Sequence, residues 1–396
     1  MRASEALTFE PAACWQRLQQ SKEFFFEDLD AQMKEHHQKF LEQLMLHERQ
    51  CFINAHPYER AEERVDQANG FYQRRLTTRL GAIELKVPRT RSGHFHPEVL
   101  PRYQRREPAI NEALKTIFLL GVSTRQAGRA LATLVEDAVS ASTVSAVAKA
   151  LDVSVLAFHR RQLTDQYRYL LMDGVSVRIR LVGKVQRRMA LCVYGVTECG
   201  RRELIDFQIV NAEAHESWHD FLWSLWRRGL RGEFLELICT DGQRGLAKAI
   251  GRLWPSVAHQ RCWAHKLRNL ENKLKVSQNG CLEEAKLIYQ SAHRREAVER
   301  FRAWKKKWQW EAPKAVQCLE EDLEEMLAFF SCPRAHWKRL RTTNVIERLF
   351  VEVRRRIRTM CAFTTRSSCQ RILFSVFNRM NQHWSSHPLP PFTQNS

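Results

Sequence analysis

The sequence predicts an α/β chain: a mixed five-stranded sheet interrupted by an all-α segment and preceded by a mainly α region. Three observations predict it. Three strand-like apolar runs follow one another between residues 167 and 210. Helix and strand patterns then alternate to about residue 275. Elsewhere, over 14–51, 108–158 and 275–335, apolar residues recur at helical spacing.

In chain order, residues 14–51 predict one helix with Trp15, Leu18, Phe25, Leu29, Met33, Phe40, Leu44 and Cys51 along it. It reads as an ordinary packed helix, with an oligomerisation or DNA-clamping helix as the alternative. The run from Gly81 to Val87 alternates like a strand and stops at Pro88. Arg89, Arg91, Arg102, Arg105 and Arg106 then lie on a segment punctuated by Gly93, Pro97 and Pro101. Arginines on an extended backbone suit phosphate or minor-groove contacts. His94 and His96 have no cysteine nearby, so a zinc site is not expected. From Pro108 to Phe158 the pattern is helical. One helix starts after Ser123 as N-cap and a second near Ser140, the layout of a helix-turn-helix.

The strand-like runs are Tyr169 to Arg180, Met189 to Val196 and Arg202 to Val210, predicting an antiparallel meander. An amphipathic helix follows from Ser217 and ends at Gly229. Leu235 to Asp241 is a fourth strand, Gly245 to Leu253 a helix, Val257 to Cys262 a fifth strand, and a helix opens at Trp263. This order, β-β-β-α-β-α-β-α, is that of a ribonuclease-H-like fold. Residues 275–335 read as wholly helical, with Trp304, Trp308 and Trp310 bunched together. Those rings read as core, with stacking on an unpaired base as the alternative. A last helix runs from Arg341 to about Arg358.

Charge narrows the function classes. Lys and Arg number 63 against 44 Asp and Glu, a net charge of +19. The excess is clustered: nine basic and two acidic residues from Arg74 to Arg106, eleven and two from Arg334 to Arg371. Such clusters attract polyanions, and nucleic acid is the expected partner. The eleven cysteines include no CxxC pair, which argues against a disulfide framework and for a reducing compartment. The first 17 residues do not read as a signal peptide, and runs such as Ile117 to Val122 are too short to span a bilayer. A soluble, intracellular protein without membrane contact is expected.

The candidate chemistry lies in three carboxylates. Asp173 sits on the first strand of the meander and Asp241 ends the fourth, each followed by glycine. In the predicted fold these strands are neighbours. Glu347 stands at the start of the last helix, in Thr342-Thr-Asn-Val-Ile-Glu-Arg, on the face it shares with Arg354 and Arg358. Each has a plainer reading, as turn aspartates or as a capping glutamate paired with Asn344. Adjacent carboxylates repel unless a cation fills the gap, and hard oxygen ligands suit Mg²⁺ or Mn²⁺. Two such ions fit the in-line displacement of a phosphodiester. Cys262 and His265, at Cys-x₂-His spacing, read as structural rather than as half of a zinc site. Arg125, Arg268, Arg348, Arg354, Arg355 and Arg358 join the earlier arginines as candidate DNA contacts.

These motifs carry a family resemblance. Asp173-Gly-Val, Gly200-Arg-Arg-Glu, Glu216-Ser-Trp, Asp241-Gly, Gln260-Arg-Cys-Trp-Ala-His-Lys-Leu-Arg-Asn and Thr342-Thr-Asn-Val-Ile-Glu-Arg-Leu-Phe resemble the mutator-type transposases of bacterial insertion sequences. So do Pro88-Arg-Thr-Arg-Ser-Gly, Pro101-Arg-Tyr-Gln-Arg-Arg and Gly121-Val-Ser-Thr-Arg, and the likeness covers about residues 65–390. It implies an Asp-Asp-Glu triad at Asp173, Asp241 and Glu347, an α-helical insertion before Glu347, and a Cys-x₂-His signature at Cys262 and His265. It implies strand cleavage at terminal inverted repeats, then attack of the freed 3′-hydroxyl on target DNA. Joining two ends requires a homo-oligomer, at least a dimer. The expected domains are 1–60, helical; 61–165, DNA-binding; 166–275 and 336–396, the two parts of the catalytic core; and 276–335, the insertion. A DNA-binding regulator that kept the fold, and a nuclease that cuts without joining, are the rival readings.

Overall fold

A computed structural model describes residues 11–20, 25–56, 59, 61–120, 122, 124–135, 137 and 139–389. Contacts divide the chain into two units, residues 1–118 with 123–147, and 119–122 with 148–396.

In the first unit, α1 (Pro11–Gln20) and α2 (Phe25–Ile53) replace the single helix predicted over 14–51, and residues 21–24 between them lie outside the described residues. A hairpin of β1 (Ala68–Thr78) and β2 (Gly81–Thr90) follows. β1 went unpredicted because most of its side chains from Ala68 to Arg75 are exposed, leaving no apolar alternation to read. Pro88 does not stop β2; it pairs with Phe71 and the strand continues to Thr90. A two-stranded ribbon has free edges, where a residue without an N–H is tolerated. Met45 of α2 packs with Leu76, Ile83, Leu85, Val87 and Leu100 to form this unit's core. Three helices complete it: α3 (Pro108–Leu119), α4 (Thr124–Val135) and α5 (Ala141–Lys149). Ser140 caps α5, accepting from Thr143 N at 3.2 Å; the other expected cap, Ser123, lies outside the described residues.

The second unit opens with α6 (Leu151–Arg160). Next come β3 (Tyr167–Leu181), β4 (Lys184–Thr197), β5 (Arg202–Val210), α7 (His215–Arg227), β6 (Leu237–Thr240), α8 (Arg244–Leu253), β7 (Ala258–Arg261) and α9 (Trp263–Glu271). The five strands form one mixed sheet in the order β5-β4-β3-β6-β7, consistent with a ribonuclease-H-like fold. β3 is antiparallel to β4 and parallel to β6, with Met172 level with Thr240. Leu170, Met172, Leu191, Val193 and Ile205 from one sheet face pack against Trp218, Phe221, Leu222 and Leu225 of α7 and Leu246, Ala249 and Ile250 of α8. Such side chains each stabilise by roughly 1.5–3 kcal/mol when fully buried, so the sheet end that carries the carboxylates rests on a rigid base. Beyond α9 come α10 (Asn279–Tyr289), α11 (Arg294–Trp308), α12 (Pro313–Glu320), α13 (Leu323–Met326) and α14 (Trp337–Leu340), then α15 (Asn344–Met360) and α16 (Arg366–Ser385).

One stretch, Ala141–Arg160, is long and apolar enough to cross a membrane by composition, which the sequence pattern had not singled out. Within it Asp152 accepts both Nε (2.6 Å) and Nη2 (2.7 Å) of Arg371, and His159 meets Asp206 at 2.7 Å. Those partners are supplied by the protein itself.

Candidate active site

The parallel register of β3 and β6 brings Asp173 and Asp241 to the same end of the sheet, each one residue beyond the last paired position. Asp173 lies on a strand flanked on both sides and is 6% exposed. Its Oδ1 accepts Gly174 N at 2.8 Å, while Oδ2 is buried with no hydrogen-bond partner. Asp241 turns the chain from β6 into α8: its Oδ1 accepts Gln243 N at 3.0 Å, and Gly242 takes φ +90°, a conformation glycine adopts without strain.

Glu347 reaches this end through a side-chain pin. Thr343, fully buried, donates its N–H (3.2 Å) and hydroxyl (3.4 Å) to Cys262 Sγ, and Trp263 N donates to Arg341 O at 2.9 Å. The start of α15 is thereby fastened to the start of α9. Glu347 does not act as a capping residue. Thr343 holds the N-cap position, and the Glu347 carboxylate meets Arg354 Nη2 at 3.4 Å and His265 Nε2 at 3.8 Å. Ile346, Leu349, Phe350 and Val353 form the buried stripe of α15, so Glu347 and Arg354 share its outer side.

Asp173, His265 and Glu347 each present a ligand atom within 4.8 Å of the other two. Asp241 stands outside that set and acts on it through its charge. Burial, then the Asp241 charge, push the Asp173 carboxyl up to about 7. The adjacent Cys262, then the Asp173 and Asp241 charges, raise His265 to about 9, and its buried Nδ1 has no hydrogen-bond partner. Burial opposes ionisation of the Cys262 thiol, yet the adjacent His265 ring and the hydrogen bonds from Thr343 bring it below its ordinary value. Cys262 is thus a pin, while the His265 ring faces the carboxylates. Sequence reasoning missed that second placement, and it missed Glu213. Burial, then Asp241, raise the Glu213 carboxyl, which also accepts Trp218 Nε1 at 3.2 Å. The available signal was topological, since β5 and β6 end at the same side of the sheet.

A cation suits this set. The donors are carboxylate oxygens with one imidazole nitrogen, and one buried carboxylate oxygen has no partner.

The predicted arginines are distributed over several surfaces. Arg102, Arg105 and Arg106 line one cavity with Arg74 and Arg75, beside Tyr72 and Tyr103. Arg89 lies over the Tyr72 ring, and Arg91 lines a separate cavity with Arg64. Arg125 is exposed on α4 and Arg268 on α9. Arg348 joins Arg202, Lys338 and Arg339 around another cavity. Arg355 pairs with Glu352 at 2.5 Å, and Arg358 is exposed. Trp304 and Trp308 are buried, donating to Cys281 O and Glu284 at 2.9 Å, so of the three bunched rings only Trp310 faces solvent.

The family described as Transposase, Mutator family matches residues 9–387. A transposase for the insertion sequence element ISRM5 of Rhizobium meliloti is 38% identical over 82% of this chain and 82% of its own length. The transposase for IS256 in transposon Tn4001 of Staphylococcus aureus is 36% identical over 86% of this chain and 88% of its own. The transposase for IS406 of Burkholderia multivorans is 34% identical over 85% and 87%.

Proposed function

Given that the chain belongs to the Mutator family of transposases, we propose that it binds the terminal inverted repeats of an insertion sequence, cuts there and joins the ends to target DNA. Asp173, Asp241 and Glu347 are the proposed catalytic triad and would hold two Mg²⁺ or Mn²⁺ ions. Bound there, the ions would supply Lewis acidity toward the attacking and leaving oxygens of a phosphodiester. The observation that carries the reading is the buried Asp173 carboxylate, one oxygen unpartnered, with Glu347 in ligand range and the Asp241 charge acting on it.

The protein's own residues have separable tasks. Asp173 sits on the rigid central strand and fixes where the cluster forms. Asp241, on a turn braced by Gln243, closes it from the neighbouring strand. Glu347 arrives on α15, and Arg354 beside it is placed to meet the phosphate of a bound strand. His265 offsets carboxylate charge, so the centre is assembled before substrate arrives. The cavity lined by Arg74, Arg75, Arg102, Arg105 and Arg106 would grip the phosphate backbone, and α4 with α5 would serve as the helix-turn-helix. Two ends must be joined together, so the working form would be at least a dimer.

The test is incubation of the protein with DNA carrying the ends of its element, with Mg²⁺ and with EDTA. Metal-dependent nicking and joining, both lost in Asp241→Asn, are expected. Sequence-specific binding without cutting would favour a regulator, and cutting without joining a nuclease.

A further inference from the structure

Outside the carboxylate cluster, the second unit carries a ladder of aromatic rings on α7. His215 and His219 have centroids 6.1 Å apart. His219 and Trp223 are parallel within 7° at 6.5 Å, and Trp223 and Trp226 parallel within 7° at 4.9 Å. The Arg231 guanidinium caps the far end, 3.6 Å above Trp226. Trp226 packs against the core that Trp218, Phe221, Leu222 and Leu225 enter, whereas Trp223 lies outside that cluster and is 41% exposed.

The flank is set by α8. β5 and β6 run in the same direction, so α7 and α8 both start at the carboxylate end of the sheet and run side by side. Their starts are in close contact. A Cβ on Gly245 would stand 2.9 Å from His215 N, and His215 Nδ1 lies 3.0 Å from Gly245 O. The ladder therefore begins on the flank of α7 that meets α8. Across it, α8 exposes Lys248 and Arg252, one helical turn apart and neither in an ion pair among the described residues, while Arg244 lines a separate cavity with Arg261, Glu321 and Asp322. Of the acids of α7, Asp220 is held against the ladder's His219, its Oδ1 3.3 Å from the ring Nδ1.

The ladder's rings stack on one another, so the exposed indole of Trp223 is the surface left for a base, and beside the two unpaired cations it suits a single strand of nucleic acid, with phosphates on Lys248 and Arg252. A second copy of the chain would place its own surface against the two uncompensated charges of Lys248 and Arg252. We infer that the α7–α8 groove binds the unpaired DNA strand as it leaves the carboxylate cluster, with Trp223 as the principal stacking ring. The position of the groove as an exit rests on the proposed catalytic reading; its binding of single strands does not.

The experiment measures binding of the full chain to fluorescent oligothymidine and to duplex of the same length, in EDTA. Trp223→Ala should weaken oligothymidine binding about tenfold and leave duplex binding within about twofold. Trp223→Phe, which keeps a stacking ring, should retain most of the affinity. Lys248→Glu with Arg252→Glu should also weaken oligothymidine binding and flatten its salt dependence. Equal loss on both DNAs, no loss in Trp223→Ala, or a fall in oligomer mass with either variant would overturn the inference. Wild-type protein that binds oligothymidine through Trp223 yet never cuts DNA would sink the catalytic reading and leave this one standing.

Discussion

Two aspartates are buried in the same sheet and treated in opposite ways. Asp206 on β5 is 2% exposed, and both its oxygens are engaged: Oδ1 by His159 Nδ1 and Phe207 N at 2.7 Å each, Oδ2 by Arg228. Arg228 is itself anchored to His159 O at 2.6 Å. Asp173, two strands away, is 6% exposed and has one oxygen without a partner and two further carboxylates nearby. The fold pairs both oxygens of one buried carboxylate and leaves an oxygen of the other without a hydrogen-bond partner. A structural carboxylate is completed by its own protein, whereas one meant for metal or substrate is left incomplete.

Activity should separate the two most widely. Asp173→Asn and Asp241→Asn are expected to lose at least about a thousandfold in cleavage rate, roughly 4 kcal/mol of barrier. Asp206→Asn should keep its rate per folded molecule within about tenfold. Measuring single-turnover cleavage against the folded fraction checks this, and comparable losses at both positions would erase the distinction.

Stability should reverse the order. Asp206→Asn leaves Arg228 partly unpaired in the interior and should cost about 3 kcal/mol in denaturant titration. Asp173→Asn removes a charge that the fold does not balance, so in EDTA it should be neutral or stabilising by about 1 kcal/mol. Mg²⁺ supplies the next contrast. At about a hundredfold excess over its Kd it should stabilise wild type by about 2.7 kcal/mol and leave Asp173→Asn almost unmoved. Equal thermal shifts in both proteins would place the ion elsewhere.

What the sequence disclosed follows the same division. The order of strands and helices from β3 to α9 was legible because Leu170, Met172, Leu191 and Val193 repeat at strand spacing and Phe221, Leu222 and Leu225 at helical spacing. Neighbouring strands then placed Asp173 beside Asp241. The hairpin strand β1 was not legible, since Phe71 (47% exposed) and Tyr72 (40% exposed) give no inward-outward alternation. Nor was the direction of the His265 ring. Cys262 and His265 share a helical turn, but only the bond from Thr343 to Cys262 turns one inward as a pin and leaves the other facing Glu347. Glu213 carries no local signature at all, because its role comes from where β5 ends.

The smallest contrast is in pH dependence, and its sign distinguishes the two sites. Asp173 titrates near 7 in the folded protein and near its ordinary value of about 4 when unfolded. Between those values the folded state keeps a proton that the unfolded state has released, so stability in EDTA should fall as pH rises from about 4 to 7. His265, raised to about 9, contributes stability that is complete below its unfolded value of about 6.5 and is lost as pH passes 9. The two windows adjoin, so the decline should continue on the alkaline side. Denaturant titrations at pH 5 and pH 6.5 stay below the His265 window: wild type should lose more stability between them than Asp173→Asn does, and the excess should vanish in saturating Mg²⁺. An identical slope in the two proteins would mean that Asp173 is already balanced, like Asp206, and that the sheet holds two structural aspartates rather than one.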